Sequence, residues 1–225
     1  MINYQRVSAN SPALKPIITK PVTGLSLKSS ADYIIGETTI GKIKQNTIVP
    51  VKAYIVKSTN QFDYYLIDAQ GNELGFITLH NYYPGERKNY GASYEQKFPG
   101  AIYVENIETL SDDYKGVGNS LHKVAVGISK QSGYDGRVLL DAEKSSHIFH
   151  YKFGFRSMGR KHYLKDKAIE HEIEKAERKI KRGVISSTKD HDTSRLGPIP
   201  MYLPEETISE IPNQAQIRLY VGSKD

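Results

Sequence analysis

The chain has 225 residues, of which 38% are apolar and 25% charged, so it can bury one sizeable core and is composed as a folded domain rather than a disordered one. It has no cysteine, which excludes a disulfide framework and a thiolate metal site and fits a reducing, cytoplasmic setting. A net charge of +6 and a pI near 9.2 suit an acidic partner such as nucleotide phosphates, and also suit simple lysine richness.

Residues 1–30 carry Pro12, Pro16 and Pro21 among many Ser, Thr and Lys, and read as an irregular arm before a single domain over 31–225. No secretory pattern is visible at the N-terminus, and no apolar run is long enough to span a bilayer. Strand signals begin at Val51–Lys57, continue at Tyr64–Ile67, and after the Asp68–Asn72 turn resume at Glu73–Leu79, an antiparallel meander. Residues 81–100, with Pro84, Gly85, Gly91, Pro99 and Gly100, read as a long loop. It carries Tyr82, Tyr83, Arg87, Tyr90 and Tyr94, an aromatic and basic set.

Ala101–Leu110 is the strongest strand pattern in the chain. Tyr114-Lys115-Gly116-Val117-Gly118-Asn119-Ser120-Leu121 then puts a glycine turn before an amphipathic helix with an apolar stripe at Val117, Leu121, Val124, Ala125 and Ile128. Glycines let backbone approach a ligand, and a helix start offers unpaired N–H groups suited to phosphate. Gly136–Ala142 reads as a second strand, parallel to the first because a helix joins them. A short helix follows, capped by Ser145 or Ser146 and ending in Phe149-His150-Tyr151-Lys152-Phe153-Gly154-Phe155, with Gly154 at its left-handed terminus and the phenylalanines in the core. A charged helix over 166–182, with a narrow stripe at Ile169, Ile173, Ala176 and Ile180, marks an insertion at about 163–185. Its balanced charges argue against a phosphate-tracking surface. Strand candidates at Pro200–Leu203 and Gln216–Val221 close the chain.

The order of strand, glycine turn, helix, strand and F-H-Y-K-F-G-F helix resembles the GNAT superfamily of acetyl-CoA-dependent N-acetyltransferases, over about residues 51–160. The resemblance implies an α/β (α+β) fold: a mixed, mostly antiparallel central sheet with helices on both faces and a splayed parallel pair at the cofactor site. It implies acetyl-CoA as co-substrate, held by the main chain of Ile107, Thr109 and Leu110 and by backbone N–H groups of Lys115, Gly116, Val117, Gly118, Asn119, Ser120 and Leu121. It also implies an amine acceptor: a protein or peptide amine first, a small-molecule amine second, with aminoacyl-tRNA the one nucleic acid to consider.

Three positions depart from the family pattern. Asp113 stands where Gln or Arg is usual, so Lys115 takes the basic role. Glu143 or Lys144 stands near a usual Asn. His150 stands where the tyrosine that protonates the leaving thiolate is expected, with Tyr151 one residue on. Either is a candidate acid, and a third alternative is that neither acts. Glu105 and Glu108, expected on opposite faces of their strand, are candidate bases or plain rim carboxylates, Glu108 being preferred. The H-x-x-H pair His147 and His150 lacks companions at metal-binding spacing, so no metal is expected. A GNAT-fold module that binds without turnover is the alternative function. A homodimer and delivery into a host cell are compatible with the sequence but not indicated by it.

Overall fold

The computed structural model describes residues 33–45, 47–58, 62–82, 100–159, 161–211 and 217–219. The expected 1–30 arm and most of the 81–100 loop lie outside them. The strands are β1 (Tyr33–Lys44), β2 (Thr47–Lys57), β3 (Asp63–Ile67), β4 (Glu73–Tyr82), β5 (Ala101–Thr109), β6 (Tyr114–Lys115), β7 (Val138–Ala142), β8 (Arg156–Ser157), β9 (Ile199–Tyr202) and β10 (Ile217–Leu219). The helices are α1 (Val117–Gln131), α2 (His147–Phe153), α3 (His162–Lys181) and α4 (Glu205–Glu210).

All ten described strands join one sheet in the order β10-β1-β2-β3-β4-β5-β7-β9-β8, with β6 pairing β1. Every described ladder is antiparallel except β5 with β7. That single parallel pair follows from its connection, since α1 carries the chain back to the starting end of the sheet. The mixed sheet with one parallel pair is the fold class expected from the sequence.

The meander starts earlier than its apolar alternation suggests. β1 was not visible in the pattern, because Gly36, Thr38, Thr39, Gly41 and the lysines interrupt it, yet it pairs β2 along eleven positions. β4 also runs on to Tyr82, which is 2% exposed in a second small core with Ala101, Tyr103, Leu139 and Met158, so Tyr82 is not a loop residue.

The main core gathers Val117, Leu121, Val124, Ala125 and Ile128 of α1, Ile102 and Val104 of β5, Phe155, and Ile169 of α3, with Ile173 packed against it. The charged helix is therefore seated, and it is longer than expected. What seats it includes a buried carboxylate: Glu172, 2% exposed, meets His191 at 2.9 Å, Lys175 at 3.1 Å and Arg195. A buried carboxylate is tolerable only when so paired.

At Gly75 on β4 the sheet and the helix come close together. A Cβ there would lie 2.5 Å from the Glu108 carbonyl oxygen and 2.8 Å from Val117 Cγ1. Gly75→Ala is expected to lower stability by about 1–3 kcal/mol, the usual cost of overpacking. Urea unfolding should show this as a lower midpoint with an unchanged slope.

Candidate functional site

The site begins with the parting of two strands. β5 pairs β7 only at Ile102–Val138, Tyr103–Leu139 and Val104–Leu140. β5 then continues to Thr109 along β4, while β7 ends at Ala142 and its other edge pairs β9. From Glu105 onward the β7-side edge of β5 has no ladder partner among the described residues.

A bulge sits at the same point. Thr78 faces Asn106 and Leu79 faces Val104, so Glu105 is the extra residue. This resets the alternation: Val104 and Ile107, three apart, both reach the main core. Glu105 instead meets His80 at 2.5 Å, on the face that carries Phe76, the cross-strand neighbour of Glu108. Glu105 and Glu108 therefore share a face, which corrects the expectation of opposite faces. The parity argument fails because a bulge intervenes between them. His80, stacked on Phe62 with centroids 4.4 Å apart, was not singled out in the sequence, and only the cross-strand register could have found it.

The register also sorts the main chain. The Leu110 N–H donates to the Leu74 carbonyl at 2.9 Å, so residues 106, 108 and 110 turn their polar groups toward β4. Ile107 and Thr109 turn theirs to the open side. Of the three expected main-chain contacts, two face the cleft, and the Leu110 N–H is already taken.

The glycine turn opens a helix that packs on this part of the sheet, where a Cβ on Gly75 would lie 2.5 Å from the Glu108 carbonyl oxygen and 2.8 Å from Val117 Cγ1. It is held from behind. Tyr114 donates its hydroxyl to Asp68 at 3.1 Å, the Lys42 ammonium lies 5.1 Å from the Tyr114 ring, and the Ile43 N–H donates to the Asp113 carbonyl at 2.8 Å. Gly116 has φ +85°, a left-handed conformation that favours glycine, and a Cβ there would meet nothing within 4 Å. Helical bonding starts with the Ser120 N–H donating to the Gly116 carbonyl at 2.9 Å. The amides of Val117, Gly118 and Asn119 thus have no acceptor inside the helix, and no side chain caps it. Ser120 and Leu121 direct their amides into the helix. Lys115 is exposed, and the side chains of Val117 and Leu121 are core. Gly118 has a different role from Gly116: its Cβ would lie 2.7 Å from the Phe149 ring.

α2 closes the site against α1. Ser146 occupies the cap position, but its hydroxyl donates to the Glu143 carbonyl at 2.8 Å instead of capping. Gly154 ends the helix at φ +121°. His147 is fully buried; its Nε2 donates to the Gly197 carbonyl and its Nδ1 lies against Thr193, both at 2.8 Å. His147 is thus a tie to the 193–197 segment.

His150 is 4% exposed, and its Nδ1 lies 3.0 Å from Nε2 of His122, a fully buried residue of α1. The rings of Phe149, Phe153 and Phe155 surround His122 at 4.7–5.1 Å between centroids. Burial, and then His147, push His150 down to about 3, and burial pushes His122 well below the imidazole range. Tyr151 faces the other way. It donates its hydroxyl to Glu170 of α3 at 2.5 Å, under the Arg156 guanidinium at 4.4 Å, and burial followed by Glu170 raises it to about 12.

No family model matches the chain, and no curated protein matches it. Among solved structures it is similar to a nourseothricin acetyltransferase, at 14% identity over 77% of this chain and 87% of that one, with a TM-score of 0.34. It is also similar to a protein assigned as a streptothricin acetyltransferase from Bacillus anthracis str. Ames, in complex with acetyl coenzyme A, at 16% identity over 81% and 90%, with a TM-score of 0.35. Likenesses of this size carry no argument about the site, whose chemistry rests on the chain's own residues.

An imidazole whose folded pKa lies far below its unfolded value stays neutral while the unfolded chain takes up a proton. Stability is then fully present above about pH 6.5 and is lost as pH falls toward about 3. The ring signals of His122 and His150 should not titrate between pH 7.5 and 5 in an NMR series. Over the same interval the urea midpoint should fall.

Proposed function

We propose that the chain is an acetyl-CoA-dependent N-acetyltransferase, transferring an acetyl group to a primary amine in a ternary complex. A protein or peptide amine ranks before a small-molecule amine. The observation that carries this reading is the unpaired edge of β5 at Ile107 and Thr109, lying beside the uncapped N–H groups of Val117, Gly118 and Asn119. A pantetheine arm needs such an edge to bond as an added strand, and a pyrophosphate needs such a helix start. Lys115 supplies the positive charge.

The sheet separates the two proton tasks. Glu105, exposed at the bulge and bonded to His80, takes the proton from the attacking ammonium on one face. The amine nitrogen then bonds to the thioester carbonyl carbon and, positively charged by that bond, gives up its second proton to water. The C–S bond breaks with its electron pair on sulfur, and the thiolate is stabilised by a hydrogen-bond donor until water protonates it. His150, on the face that holds α1 and α2, is the better placed donor, because the Tyr151 hydroxyl is already given to Glu170. The neutral state of His150 makes it a polarising donor and not an imidazolium acid.

Titration calorimetry tests the cofactor site first. Micromolar binding of acetyl-CoA is expected, weakened about tenfold or more, equivalent to ~1.4 kcal/mol, in Gly116→Val. A folded chain that binds no acetyl-CoA overturns the reading. Glu105→Gln should retain acetyl-CoA binding while kcat falls about 10²- to 10⁴-fold. Assays with lysine peptides, polyamines and nourseothricin then rank the acceptors. Binding without turnover on any amine would favour the non-catalytic module, which the buried His150 also fits.

A further inference from the structure

The contact between His122 and His150 has a direction. Their facing nitrogens, His122 Nε2 and His150 Nδ1, lie 3.0 Å apart, so one donates and the other accepts. Both imidazoles are neutral, which leaves two arrangements. If His150 donates from Nδ1, His122 accepts at Nε2 and must carry its own proton on Nδ1. That Nδ1 is sealed from solvent and has no hydrogen-bond partner. A buried N–H without an acceptor is among the rarest defects in folded proteins, while a buried acceptor left without a donor is better tolerated. The surroundings of His122, the rings of Phe149, Phe153 and Phe155, offer no oxygen or nitrogen that could accept.

We infer that His122 donates from Nε2 to His150 Nδ1 and so fixes His150 in the tautomer that carries its proton on Nε2, the nitrogen facing away from His122. His122 is thereby a positioning residue for the donor that the proposed acetyl transfer uses, and this functional half rests on that reading. The Nε2 of His150 makes no hydrogen bond among the described residues and, unlike His122 Nδ1, is not sealed from solvent. It therefore remains for a partner from outside the core. No proton moves between the two histidines: His122 holds a tautomer and an orientation, in the way that a carbonyl or carboxylate orients a catalytic imidazole through its second nitrogen.

The fold makes the arrangement stiff. His122 lies one turn along α1 from Gly118, and Phe149 packs on Gly118 at a distance that leaves no room for a methyl group. A rotation of α2 that would separate the two imidazoles must first move Phe149.

Long-range ¹H–¹⁵N NMR of the uniformly labelled full chain at pH 7 reads the tautomers directly. The expected result is a pyrrole-type nitrogen at Nε2 and a pyridine-type nitrogen at Nδ1 in both His122 and His150. A pyrrole-type Nδ1 on His150 overturns the inference, whether or not the chain acetylates anything. His122→Phe keeps the aromatic cage and removes the donor. It should give His150 mixed tautomers and lower kcat roughly 10- to 100-fold, with the KM for acetyl-CoA little changed. His122→Gln, whose amide N–H can donate in place of Nε2–H, should recover a large part of both the spectrum and kcat. Unaltered His150 tautomers in a folded His122→Phe variant would remove His122 from the role. The expected spectrum in a chain without acetyltransferase activity would keep the pair and discard the catalytic use.

Discussion

The parting of β5 from β7 is the constraint on which the rest of the site depends. Two parallel strands held by a full ladder leave no room between them and no free main-chain groups. Here the ladder stops after three pairs, and β5 goes on with one edge bonded to β4 and the other open. The bulge at Glu105 sits at the point of parting, where the extra residue adds local twist. The chain's one described parallel pair, its open edge and its bulge thus share one location, and the start of α1 is brought to it by the close contact of Val117 with Gly75.

Much of this was legible in the residues. The Ala101–Leu110 pattern, the glycine turn and the apolar stripe after it gave a strand and a helix in the right order, and a helical connection between two strands dictated that they be parallel. What the residues could not convey was register. A bulge leaves no mark in composition, so Glu105 and Glu108 were sorted by simple alternation onto opposite faces when they share one. The same blindness hid His80, whose relevance depends wholly on the strand opposite. β1 escaped because glycines and threonines dilute its alternation, although its ladder with β2 is the longest described.

Histidines were the hardest residues to read. The H-x-x-H spacing of His147 and His150 suggested that they be considered together, yet each looks to a different partner: one to a distant loop, the other to the neighbouring helix. His122 carried no signal at all, being one polar residue beside an apolar stripe. Sequence spacing relates side chains on one element, whereas these contacts join elements 28 to 50 residues apart. The charged helix presented the same difficulty in reverse. Its stripe of Ile169 and Ala176 pointed to seating, but the buried Glu172 among solvated acids was indistinguishable from them until His191 and Arg195 came into contact with it.

The contact of Gly118 with Phe149 bears on how the glycine motif is inherited. The first glycine of the pair is required by backbone conformation, but the second records the thickness of an aromatic ring on another helix. Among descendants of this chain, position 118 should change in step with position 149: a smaller residue on α2 would release the glycine, and a family could lose half of its signature without altering the helix start beside the open strand. The motif is therefore two constraints of different origin written next to each other, and only the first would persist by itself.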